Sequence, residues 1–338
     1  MAWDNTDYFF SGQGVILLGD RDLAGNPAGL IPVGNVSELK LTVATSVLEH
    51  KESKTGQRAI DLRLTTETKG TLSITIENFN ATNLAAALRG TKTVKPGAPV
   101  VGELSKIYFG KIAPLNHMLI SAVTVQRGAN TLTPYTNDAT AWDVRVNPES
   151  GSLLFNDGAV QALTTNATLG GVVPSAIVVG VTTQVTVANT AKAGDYVALA
   201  GFAGAGAALV NNKAHLVLSA TPTGVVLQTN TFGATITIGV PLAVFDGAAL
   251  TVGYTYATQN HVDPLVLGSP EKWMRFEGLN TADNNAPVVV DIFRFLSDPL
   301  KELSFISDTI QNFVLEGNML ADSGRTSGSK FFRQFMLR

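Results

Sequence analysis

Cysteine is absent from this 338-residue chain. Disulfides, thiolate catalysis and cysteine-ligated zinc are therefore excluded. Charge is scarce too. Charged residues make up 15% of the chain and nearly cancel, 24 Lys and Arg against 27 Asp and Glu. A surface that grips nucleic acid carries a basic patch and a high pI, and a net charge of -3 argues against that class. No run of about 18 apolar residues occurs, so no transmembrane helix or membrane anchor is expected. The N-terminus, Met1 to Asp7, lacks both a basic start and an apolar segment of signal-peptide length, and reads as cytoplasmic at synthesis.

Catalytic constellations are missing as well. Gly12-Gln13-Gly14 is followed by Leu17, and Gly204-Ala205-Gly206 by Leu209, where a dinucleotide fingerprint needs a third glycine. Both read as strand-edge turns. Neither a phosphate-loop lysine pattern nor a nucleophile elbow occurs. His50, His117, His215 and His261 are scattered, with no pair at ligand spacing. They read as solvated or packing residues. Asp283-Asn284-Asn285 lacks the glycine and distal glutamate of a calcium loop and reads as a turn. No catalytic residue, metal site or cofactor is expected, and the chain does not read as an enzyme.

What is abundant is strand pattern. Leu39, Leu41 and Val43 alternate with Glu38, Lys40 and Thr42. Ile60, Leu62 and Leu64 alternate with Asp61, Arg63 and Thr65, and Leu72, Ile74 and Ile76 with Ser73, Thr75 and Glu77. Each segment predicts a strand with one packed and one polar face, as in antiparallel sheets. Thr68-Lys69-Gly70 reads as a hairpin between the last two, and Leu48 to Arg58 as a long polar loop. One short helix is expected over Asn83–Arg89, capped by Asn80 or Thr82 and closed by Gly90, with Leu84 and Leu88 as its apolar stripe. Strands are also expected over Leu250–Tyr256, Glu271–Glu277, Pro287–Phe295 and Glu302–Glu316, with a helix as an open alternative in the last.

Composition changes in the middle of the chain. Between Ala159 and Ala243, 85 residues carry only Lys192, Asp195 and Lys213 as Asp, Glu, Lys or Arg. Strands are expected at Ser175–Val181, Gln184–Ala188, Tyr196–Ala200, His215–Ala220, Gly224–Gln228 and Ala234–Ile238, a small β-sandwich or barrel pattern. The expected fold class is therefore all-β: two packed antiparallel sheets, as a sandwich or barrel, with one short flanking helix. Residues 159–243 are expected as an inserted β-sandwich-like surface domain within a discontinuous host domain, 1–158 and 244–338.

Several phrases in order carry a resemblance. They are Phe10-Ser11-Gly12-Gln13-Gly14-Val15, the run from Val33 to Leu41, the run from His50 to Arg58, Asn83 to Gly90, and Trp273 to Asn280. Together they resemble the major tail tube proteins of long-tailed, siphophage-like bacteriophages, over roughly residues 5–158 and 244–338. The resemblance implies a structural virion protein, assembled in the host bacterial cytoplasm. Six copies would form a ring whose inner sheets join into a barrel. Rings would stack into a hollow, non-contractile tail tube through which genomic DNA passes without specific binding. Implied partners are further copies of the chain and the tail-tip or baseplate, terminator and tape-measure proteins.

The resemblance also implies roles for residues. The stretch Leu48 to Arg58 looks like a ring-bridging loop, with Glu49, Lys51, Glu52, Lys54 and Arg58 supplying mixed charge. Trp3, Tyr8, Phe9 and Phe10 at one terminus and Phe331, Phe332, Arg333 and Arg338 at the other would be terminal-arm contacts between copies. Glu38, Lys40, Asp61, Arg63, Glu67 and Glu77 would line the lumen as a mildly acidic wall that does not hold phosphates. A capsid decoration or baseplate protein and a carbohydrate-binding adhesin remain as alternative readings.

Overall fold

A computed structural model describes residues 9–54, 56–137, 142–156, 171–268 and 270–337. Its regular structure is antiparallel strand, with one α-helix and one short 3-10 turn among the described residues. The all-β class predicted by the alternation is the class observed. The chain divides into two compact units, Met1–Val94 with Asn260–Arg338, and Lys95–Gln259. Residues 171–243 of the expected insert thus belong to a larger second unit, and the insert's expected first boundary lies outside the described residues.

The first unit is built on one eight-stranded sheet. Its strands are β1 (Gly12–Asp20), β2 (Ile31–Pro32), β3 (Val36–Lys51), β4 (Ile60–Ile76), β5 (Glu271–Asn280), β6 (Ala286–Ser297), β7 (Phe313–Met319) and β8 (Phe332–Met336). The order is β2-β1-β5-β6-β7-β4-β3, with β8 paired to β6. One face carries the core: Ile16, Leu72, Ile74, Ile76, Met274, Ile292, Phe295, Phe313 and Leu315, with Leu39 and Leu41 packed against it.

No hairpin forms at Thr68-Lys69-Gly70. β4 runs unbroken from Ile60 to Ile76, and Gly70 pairs with Val43 on one side and Met319 on the other. A Cβ at Gly70 would lie 2.2 Å from Met319 Cε. Glycine serves close approach there and makes no turn. The expected Glu302–Glu316 strand shrinks to Phe313–Met319. Ahead of it, Ser304 donates to the Ile306 carbonyl and Ser307 accepts from the Thr309 amide. Such local bonds compete with a ladder.

Helix α1 spans Ala81–Ala87, and Asn80 caps it by accepting from the amides of Thr82 and Asn83, both at 2.9 Å. Its buried side is Asn83, Ala85 and Ala87, while the expected stripe of Leu84 and Leu88 is only half-buried. Asn83 donates to the carbonyls of Val33 and Asn78. This side-chain link, added to small-residue packing, ties the helix to the chain around β2.

The second unit holds three sheets. Ala98–Lys106, Ala249–Tyr256, Ile120–Arg127 and Asn130–Thr131 form one, and Val144–Asn147, Ser152–Phe155 and Ile112–Pro114 another. The third has Ala176–Val178, Thr183–Thr186, Gly224–Leu227, Lys213–Thr221, Tyr196–Ala200 and Leu242–Phe245 in that order. Five expected strands are found near their places. The sixth, Ala234–Ile238, has only an isolated bridge, and Leu242–Phe245 takes the edge position. Tyr196–Ala200 is buried on both faces, as its apolar run Val197-Ala198-Leu199-Ala200 requires. Ala198 and Val244 enter the core around Phe109 and Phe155, while Val197, Leu199 and Ala243 enter the core around Val185 and Leu227.

That second core also encloses a polar network. Nε2 of buried His215 donates to the Val210 carbonyl at 2.8 Å, so Nδ1 accepts from the Thr229 hydroxyl at 2.6 Å. Burial lowers the pKa of the ring and keeps it neutral. Stability from this arrangement is present above the ordinary histidine pKa of 6.5. It is lost below that value, because the unfolded chain takes a proton that the folded chain refuses. The unfolding midpoint of the second unit is expected to fall between pH 7 and pH 5, with a shallower slope in His215→Gln; calorimetry across pH tests this. In the first unit, Ile74→Ala is expected to cost about 2–5 kcal/mol in a denaturant titration, since Ile74 is fully buried.

Candidate interaction surface

Pairing of β4 with β7 ends at Gly70, and β3 pairs only with β4. From Ala44 to Lys51 and back from Ile60 to Lys69, the two strands continue alone. This two-stranded ribbon is roughly 25 Å long at about 3.3 Å per residue. Every described residue on both arms is exposed. Isolated two-stranded ribbons are marginal in water, and this one has side chains that the rest of its unit leaves uncovered.

The ladder decides which side chains share a face. β3 is regular from Glu38 to Lys51, so its side chains alternate without interruption. Leu39 and Leu41 point into the core, and Glu38, Lys40 and Thr42 outward. On β4, Ser46 pairs with Glu67 but Val47 with Thr65, leaving Thr66 as an extra residue. The Thr66 hydroxyl donates to the Ser46 carbonyl at 3.1 Å and holds this bulge. Beyond it the faces of β4 are exchanged. Leu64 and Leu62 now partner Leu48 and His50 on the outward face, while Arg63 partners Glu49 on the other.

The result corrects the expected packed face for Ile60, Leu62 and Leu64. They are 52%, 50% and 49% exposed, and Leu48 is 59% exposed. The sequence carries no signal for the bulge, since Thr65-Thr66 fits a regular strand equally well. The six residues expected on one lumen surface do not share a face either. Glu38, Lys40 and Glu67 lie outward, and Arg63 lies opposite them, with Nε 3.6 Å from Glu49 Oε1. Asp61 is the extra residue of a second bulge and sits 2.6 Å from His50 Nδ1. Glu77 lies beyond the end of β4 and accepts from the Asn35 side chain.

The expected long loop, Leu48 to Arg58, is strand only in its first four residues, to Lys51. Glu49 and Lys51 thus belong to β3, while Glu52, Lys54 and Arg58 lie between the two strands. Glu52 is half-buried in its own tip, where its carboxylate accepts from the Lys54 amide at 2.9 Å and its amide donates to Ala59. Gly56 and Arg58 adopt left-handed φ of 81° and 50° to close it. Lys54 and Arg58 are exposed. The tip thus presents Lys51, Lys54 and Arg58 ahead of the leucine stripe.

Of the terminal-arm residues, Phe9 and Phe10 are exposed, while Trp3, Tyr8 and Arg338 lie outside the described residues. The C-terminal group works inside the fold. Phe331 and Phe332 pack against the core of the first unit. Arg333 Nε and Nη2 donate to Asp291 Oδ2 at 3.0 and 2.9 Å. Asp291 is 0% exposed, and its other oxygen, Oδ1, lies 3.7 Å from Arg275 Nε, so the carboxylate sits between two guanidinium groups, with Arg333 the closer. A further apolar group not anticipated as a contact is Phe305, Ile306 and Ile310, all strongly exposed in the segment before β7.

Among the described residues, no three His, Asp or Glu side chains gather as metal ligands. A family model described as "Protein of unknown function UCP028589" matches the chain over residues 9–173 and 164–335. No curated protein matches it. Because removal of Arg333 leaves buried Asp291 with only the longer contact to Arg275, Arg333→Ala is expected to destabilise the first unit by roughly 2–3 kcal/mol in urea, discounted for its half-exposed guanidinium.

Proposed function

The chain belongs to the family described as "Protein of unknown function UCP028589", and we propose that it is a structural subunit that self-assembles through its β-ribbon, forming stacked, hexameric rings of a bacteriophage tail tube. The observation that carries the reading is the ribbon's outward leucine stripe, Leu48, Leu62 and Leu64, exposed beyond the end of the supporting sheet. Monomeric proteins seldom expose contiguous apolar patches without a use. Burying one leucine contributes about 1.5–3 kcal/mol, and a ring repeats each contact in every copy. Glu67 on the same face and Lys54 and Arg58 in the tip flank the stripe, while Glu49 and Lys51 lie on the other face, suiting a register-setting charged border around an apolar centre.

The long-tailed phage resemblance supplies the rest of the proposal: a virion location, a lumen that passes DNA, and tail-tip, terminator and tape-measure proteins as partners. The overall negative charge and low basic content fit a wall along which phosphates slide and are not held. On this reading the ribbon reaches from one ring to the next.

Leu62→Glu combined with Leu64→Glu is expected to abolish rings and tubes in negative-stain electron microscopy while the unfolding midpoint stays within about 0.5 kcal/mol of the parent, as for exposed sites. Tubes of unchanged abundance and length from the double variant would refute the ribbon's role. A parent chain that stays monomeric at every concentration, even with tail tips added, would refute the tube.

A further inference from the structure

Strand β8 is the last strand among the described residues and has one ladder partner among them, β6. β6 is long enough to be shared: its C-terminal part pairs with β7 and its N-terminal part with β8. The seat for β8 is defined by features of β6 and its surroundings. Asp291, fully buried on β6, takes the β8 guanidinium at Oδ2, while Arg275 Nε lies 3.7 Å from Oδ1. Beside it, Phe332 and Gln334 of β8 help to line a cavity of about 900 Å³, together with Leu41, Met274, Val288 and Val290. Any copy's β8 would meet those requirements equally well.

The segment that leads to β8 has two parts. Its first part is anchored: Asp322 accepts from Arg21 Nη2 at 3.2 Å, and the Arg325 guanidinium lies 3.3 Å from the Phe293 ring centroid. Its second part, Thr326-Ser327-Gly328-Ser329-Lys330, is small, polar and exposed throughout, and Gly328 takes a left-handed φ of 75°. A fixed post followed by five exposed, small and polar residues, closed by one backbone bond from the Asp322 amide to the Lys330 carbonyl at 2.8 Å, forms a hinge. Fully extended, it spans at most about 17 Å, enough to reach a copy in contact and no farther.

We infer that β8 is an exchangeable strand, donated in the assembled state to β6 of an adjacent copy, where Arg333 of the donor pairs with Asp291 of the acceptor. Apart from the Asp322–Lys330 backbone bond that closes the hinge, the contacts β8 makes in trans are those it makes in cis. Neighbouring copies in a ring or stack hold donor and acceptor at high effective concentration, which offsets the entropy of association. The contact is heterologous, head to tail, and therefore propagates around a ring or along a stack. The inference rests on the assembly reading and adds a covalent chain path from each copy into the next.

Val290 and Gln334 are ladder partners across β6 and β8 and line the same cavity, and the chain has no cysteine to interfere. The full-length double variant Val290→Cys, Gln334→Cys is assembled under reductant, checked by electron microscopy, then oxidised with diamide and run on a non-reducing denaturing gel. The expected result is a ladder of covalent multimers from the particles, and single chains from dilute, unassembled protein. Oxidation before assembly should lock β8 in cis and lower the yield of particles at least tenfold, with recovery on reduction. Particles whose cross-linked chains all migrate as single chains would overturn strand exchange and leave assembly standing. Chains that never associate would end both.

Discussion

A strand can satisfy its backbone with one neighbour, but it cannot bury its side chains without a layer to lie on. β4 leaves its supporting sheet at Gly70, where β7 stops, and the ladder with β3 goes on for ten more residues of β4. The hydrogen bonds of that extension are made, and its side chains have nothing beneath them. The exposed leucines and the position of the short charged tip both descend from this one mismatch of strand lengths.

The same tension is resolved differently at the other end of the chain. β8 also has one ladder neighbour among the described residues, yet two of its side chains are used by the fold: Phe332 packs on the core and Arg333 joins Arg275 at a carboxylate that no solvent reaches. The first unit therefore carries one ribbon that is complete in backbone and wanting in packing, and one strand that packs through part of its side chains while Phe335 and Met336 stay exposed. In the second unit the tension disappears. Tyr196–Ala200 has neighbours on both edges and cores on both faces, and the expected insert is knit there into the strands around it.

Much of this was legible in the residues. Alternation at Leu39–Val43 and Leu72–Ile76 located the packed parts of β3 and β4, and Asn80 marked the helix start. The turn assigned to Gly70 illustrates an ambiguity of glycine, which serves equally for a bend and for the close passage of Met319. The packed face assigned to Ile60, Leu62 and Leu64 failed for a different reason. Period-two patterning reports that a face is apolar and is silent on what covers it. Arg333 was legible as an interface anchor only because its partner, Asp291, is 42 residues away in sequence and no local pattern links the two.

The bulge at Thr66 carries one more implication. Which side of the ribbon bears leucine and which bears the Glu49–Arg63 pair is fixed by a count, the odd extra residue in β4, and by no side-chain identity. Were Thr66 paired regularly opposite Val47, the outer part of β4 would turn over, placing Leu64 beside Glu49 and Arg63 beside His50 with no amino acid changed. The spare residue absorbs that shift and keeps both leucines beside Leu48 and His50, so one further residue inserted between Leu64 and Thr65 and paired regularly would act as a parity switch. Descendants of a common ancestor could change what the ribbon recognises in a single genetic step, without redesigning either face.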